Sequence, residues 1–120
     1  MISPKIYISG PITHTVDGNR LAFENAKKAL QLIGFEVINP HENGLPLNAT
    51  YNQHLVKNME LLLECDAIYL LQGWTDSYGS RVECFMADNR GLQLLSYHTP
   101  IEMLHEYVTD FKEQSLENEN

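Results

Sequence analysis

Glu83 is the acidic residue whose setting in the sequence best suits chemistry. It closes the run Ser77-Tyr78-Gly79-Ser80-Arg81-Val82-Glu83, a small and polar loop that leads into a helix. A carboxylate held there can act as a nucleophile or a base, with Gly79 the loop's most permissive point. The same position also suits a plain helix cap, because acids favour the positive end of the helix dipole. Spacing alone leaves both open. A second turn, Gly10-Pro11, abruptly ends the apolar run Lys5-Ile6-Tyr7-Ile8-Ser9. If both runs are parallel strands of one sheet, both turns lie at its carboxyl edge, where open α/β sheets bind ligands.

The elements that must position these residues can be read from hydrophobic period and punctuation. Strands are predicted over 5–9, 35–38, 67–71 and 92–97 as short apolar runs bounded by Gly, Pro or Asn. Leu21, Ala22, Asn25, Ala26, Ala29, Leu30 and Ile33 mark one helical face, stopped by Gly34. Thr50 caps a second helix with Leu55, Met59, Leu62 and Leu63 on its apolar side. A third helix, about 79–90, shows Val82, Phe85 and Met86 at helical spacing and ends at Gly91. The last, about 100–114, carries Ile101, Leu104, Val108 and Phe111 on one side. Strand–helix alternation repeated four times predicts a single α/β domain of the flavodoxin or Rossmann-like kind. Its parallel sheet of four or five strands, in order 2-1-3-4, is covered by helices on both faces. The domain is expected over 1–114, with 115–120 as an acidic, frayed tail.

The 120 residues suffice for one domain with a real core and not for two ordinary ones. Cys65 and Cys84 are too few for a disulfide framework and read as reduced thiols of a cytoplasmic protein. No secretion signal and no membrane-spanning run is evident. The net charge is −8, and six acids against Lys112 fall between Glu102 and Asn120. That balance argues against duplex nucleic acid, which needs clustered Lys and Arg. It still allows a single nucleotide, whose phosphate backbone N–H groups can hold.

No G-x-G-x-x-G, P-loop or zinc-site spacing is present, and neither Ser77 nor Ser80 sits in a nucleophile-elbow motif. Of five histidines, His14 falls in the candidate site loop. His41, His54, His98 and His105 are expected at the surface or at helix ends.

The run Ile6-Tyr7-Ile8-Ser9-Gly10-Pro11-Ile12, followed by Asn19-Arg20, Phe23, Ala26, Leu30 and Gly34-Phe35-Glu36-Val37-Ile38-Asn39-Pro40, resembles the nucleoside 2-deoxyribosyltransferase superfamily. Within it the match is to a small, often phage-associated DUF4406-type branch. Ser77-x-Gly79-x-x-x-Glu83 resembles the superfamily's catalytic loop, which deoxynucleoside-monophosphate N-glycosidases share.

The resemblance implies cleavage or transfer of an N-glycosidic bond through a covalent glycosyl-enzyme on Glu83, oriented by Tyr7. It implies substrate contacts from Ser9, Gly10, Pro11 and Ile12, and phosphate contacts from Ser77 and Gly79. Two positions depart from the pattern. The family's Asp eight residues before the strand-three Asp falls here, counting back from Asp66, on Asn58. Asn can hold a sugar hydroxyl but cannot exchange a proton. An Arg just after the first turn is replaced by Thr13, leaving His14 and Arg20 as substitutes. Expected partners are a nucleoside or nucleoside monophosphate and further copies of the chain, as a homodimer or larger; no membrane, metal or cofactor is expected. A nucleotide-binding module without chemistry, and an interaction domain in which Glu83 is only a cap, are the alternatives.

Overall fold

The computed structural model describes residues 2–119. Strands β1 (Lys5–Ser9), β2 (Glu36–Ile38), β3 (Ala67–Leu70) and β4 (Gln93–Ser96) form one parallel sheet in order β2-β1-β3-β4, as predicted. Helices α1 (Arg20–Ile33), α2 (Tyr51–Leu63), α3 (Tyr78–Asn89) and α4 (Ile101–Glu119) cover it. Both faces are occupied because residues alternate across each strand. Ile6 and Ile8 pack with Phe23 and Leu30 of α1 and with Leu104 and Val108 of α4. Tyr7, between them in sequence, packs on the other face with Ile68 and Leu70, with Leu62 of α2 and Ala87 of α3.

Register fixes where the site lies. Ser9 pairs with Leu70, so β1 and β3 end together and their following turns sit side by side at the carboxyl edge. Residue 10 must be glycine, because a Cβ there would lie 2.8 Å from the Cβ of Leu71. Gly34, at φ 124°, ends α1 with its N–H on the Leu30 and Gln31 carbonyls. A capping box of Thr50 and Gln53 starts α2, each side chain bonded to the other's backbone N–H.

Three sequence expectations change. On α1 the buried anchor is Phe23, fully buried, whereas Leu21 is 74% exposed. The largest ring sets the helix rotation by docking on the sheet, and the stripe becomes Phe23, Ala26, Leu30 and Ile33. On α3 the apolar marker is inverted: Phe85 is 69% exposed and the buried face is Ser80, Glu83 and Ala87. That face has the helical spacing a core stripe needs, but two of its three members are polar. The last helix runs on to Glu119, past the end expected at 114, because Leu116, Glu117 and Glu119 are themselves good helix formers.

Candidate functional site

A cavity of about 830 Å³ opens at the carboxyl edge of the sheet. Its lining draws on the Gly10–His14 turn, the loop after β2, one side of α2 and the first turns of α3. Glu83 lies among its walls as the sixth residue of α3, one turn deeper than sequence suggested. It does not cap its own helix. Ser77 does that, accepting from the N–H of Ser80 at 3.3 Å.

Both Glu83 carboxylate oxygens instead reach across to β1. The Tyr7 hydroxyl donates to Oε2 at 2.5 Å and the Ser9 hydroxyl donates to Oε1 at 2.6 Å. Positions 7 and 9 share a face of β1, so one strand supplies both clamps. Glu83 is 7% exposed, and burial raises its pKa above the ordinary glutamate value, an effect the bonds from Ser9 and Tyr7 partly offset. Burial and the Glu83 charge drive the Tyr7 hydroxyl well above its usual range, so Tyr7 remains the donor.

The other expected residues divide. Gly10, Pro11, Ile12, Asn58, Ser77 and Gly79 all line the cavity. Arg20 lines it at the rim, 3.8 Å from Asp17, with both side chains largely exposed. Ser9, read as a substrate contact, is instead 1% exposed and spent on Glu83. Ser80 also lines the cavity, and its hydroxyl is fully buried without a hydrogen-bond partner among the described residues.

Residues 4–96 match the family described as Domain of unknown function (DUF4406), which spans most of the chain. The chain belongs to the DUF4406 family. Solved structures place this DUF4406 protein in the 2-deoxyribosyltransferase fold. The 2-deoxyribosyltransferase of Bacillus psychrosaccharolyticus aligns with TM-score 0.62 and 19% identity, over 77% of this chain and 70% of that one. The enzyme of the same name from Leishmania mexicana aligns with TM-score 0.63 and 21% identity, over 78% of this chain and 63% of that one. No curated protein sequence matches the chain.

Sequence reasoning passed over part of the DUF4406 cavity. His41 and His54, expected at the surface, both line it. His41 is held by its Nε2 against the Gly18 carbonyl at 2.8 Å and edge-on to Phe23, and burial lowers its pKa. Asn43, 7% exposed, binds both His54 and Asn58. The only sequence signal was that His54 and Asn58 stand four apart on one helix face; nothing in the loop before α2 distinguished Asn43.

Proposed function

We propose that the chain cleaves or transfers the N-glycosidic bond of a nucleoside or nucleoside monophosphate, with Glu83 as nucleophile. One observation carries this reading: a buried carboxylate in a ligand-sized cavity, with each oxygen held by a hydroxyl from the neighbouring strand. In the first step a Glu83 oxygen bonds to the anomeric carbon, and the bond from that carbon to the base nitrogen breaks. The electron pair stays with the base. Water, or a second base, then attacks the same carbon and frees the carboxylate, with net retention. Ser9 and Tyr7 keep enough negative charge on the buried carboxyl for it to attack. They also fix its plane.

A phosphate fits the start of α3. Ser77, Gly79 and Ser80 line the cavity there, and the Ser80 hydroxyl has no hydrogen-bond partner among the described residues. Asn58 would face the sugar and the leaving base. A second reading, a nucleotide-binding module without turnover, draws on Asn58 itself, an amide where proton transfer was expected. Incubation with a panel of nucleosides and monophosphates, followed by chromatography for free base, tests the first. Ligand-induced thermal shifts without base release would favour the second.

We also propose self-association. On the apolar faces of α2 and α4, Leu62, Leu104 and Val108 are core. The exposed large apolar side chains of α3 are Tyr78 and Phe85, 64% and 69% exposed, beside half-buried Val82. Light scattering should return at least twice 13.7 kDa, and Phe85→Glu should return one copy; a wild-type monomer at micromolar concentration sinks this.

A further inference from the structure

On the α2 wall of the cavity, one backbone amide fixes the polarity of three side chains. The N–H of Leu45 can only donate, so the Asn43 atom 3.1 Å from it is the carbonyl oxygen. The other end of Asn43 is therefore its NH₂, and both hydrogens have acceptors. One goes to Oδ1 of Asn58 at 2.9 Å. The other goes to Nδ1 of His54 at 3.0 Å. Nδ1 is thus bare and the imidazole hydrogen sits on Nε2. Two donors remain without a protein partner among the described residues: the Nε2–H of His54 and the NH₂ of Asn58. They stand one helical turn apart, and both residues line the cavity.

In this tautomer the ring presents its Nε2–H as a hydrogen-bond donor. The groups that His54 and Asn58 leave free on this wall are both donors. Of the other carboxylates along the cavity, Asp17 and Asp76 are on exposed turns.

We infer that the Asn43–His54–Asn58 network is the leaving-base subsite and selects oxo-bases, which turn a carbonyl oxygen (O6 of hypoxanthine, O4 of uracil) toward it where the matching amino-bases carry NH₂. This rests on the glycosidic reading above. As the glycosidic bond breaks, its electron pair leaves with the base, and the His54 donor stabilises the resulting anion as an oxyanion hole would. Solvent water then protonates the released base. Amino-bases fit badly, since their exocyclic NH₂ would meet N–H groups and they leave poorly as anions.

The test compares pairs that differ at the carbonyl or amino group: 2′-deoxyinosine with 2′-deoxyadenosine, and 2′-deoxyuridine with 2′-deoxycytidine, each with and without a 5′-phosphate. Affinities are measured on Glu83→Gln and base release on the wild type. The oxo member of each pair should bind about tenfold tighter or more. In Glu83→Gln, adding His54→Phe should erase the preference and adding His54→Gln, which keeps a donor, should restore part of it. Nitrogen-15 NMR of the histidines should show His54 carrying its hydrogen on Nε2. Equal or tighter binding of the amino members, or a His54 hydrogen on Nδ1, overturns the inference even if base is released. A preference that holds and is lost in His54→Phe, with no base released from anything, upholds the donor wall and sinks the glycosidic reading. No binding of any member sinks both.

Discussion

The two faces of the sheet are built from the same strands and do opposite things. Toward α1 and α4, every buried residue of the core cluster is apolar, from Ile6 and Ile8 to Leu104 and Val108. Toward α2 and α3, Tyr7, Ile68, Leu62 and Ala87 make a smaller apolar cluster, and Ser9, Ser80 and Glu83 are buried beside it. The division runs within single strands, since β1 gives Ile6 and Ile8 to one side and Tyr7 and Ser9 to the other. A buried carboxylate costs stability unless donors meet it. The fold can carry Glu83 because the opposite face supplies an uninterrupted core. One face holds the sheet rigid, and the other uses that rigidity to fix a charge.

Breaking each face in turn should separate these roles. Glu83→Gln should lower base release on the order of a thousandfold or more while leaving the fold intact. Ile8→Ala, one residue from the clamp but on the other face, should cost about 2–5 kcal/mol of stability, with kcat of the folded fraction little changed. Denaturant melts and kinetics on both variants check this. If Glu83→Gln keeps more than about a tenth of wild-type activity, Glu83 is not the nucleophile.

The clamp should also read out in pH. Ser9 donates to the ionised carboxylate, so Ser9→Ala should raise the Glu83 pKa further. The acidic limb of the pH–rate profile should then move up by about one unit, the scale of a lost hydrogen bond to a charged group. An unmoved limb would separate Ser9 from the chemistry.

Stability follows the same carboxyl with a definite sign. Unfolded glutamate titrates near about 4.3, and the folded Glu83 value is higher because of burial. The native state therefore holds its proton more tightly, and the Glu83 contribution to stability falls as pH rises from the unfolded value through the folded one. Glu83→Gln has no such titration. Its melting temperature should match wild type at low pH, gain on it through that window, and level off above. A constant offset across pH would mean that Glu83 is not a buried charge.

Short apolar runs alternating with helices, together with Gly/Pro punctuation, made the sheet order and the Gly10 edge legible, because buried parallel strands and close backbone approach leave marks in sequence. The spacing of Ser77, Gly79 and Glu83 was legible for the same reason. The rotation of α3 was not: a helix that lines a site buries polar residues, so Phe85, the largest apolar marker, faces out while Ser80 and Glu83 are buried. Asn43 was illegible because its role depends on where a loop brings it against α2, fifteen residues from Asn58. His54 looked like a surface residue because half-buried polar positions on a helix carry no period of their own.

The smallest expected change tests whether the polar face can be retuned without touching the core face. Asn58→Asp is nearly isosteric, and one carboxylate oxygen can keep accepting from the Asn43 NH₂ now 2.9 Å from Oδ1. The other oxygen replaces the free NH₂, so the wall gains a group that can carry a proton. A fully placed acid is worth about 10²–10⁴-fold; the introduced carboxyl, half engaged with Asn43, should give a severalfold gain. That gain should fall on deoxyadenosine and deoxycytidine, whose bases need a proton to leave, and not on deoxyinosine or deoxyuridine. The pH–rate profile for the amino substrates should acquire a limb that wild type lacks, and the melting temperature should stay within a degree or two, as for a half-buried polar swap. An unchanged rate and profile on all four substrates would mean that residue 58 does not face the reacting sugar or its base.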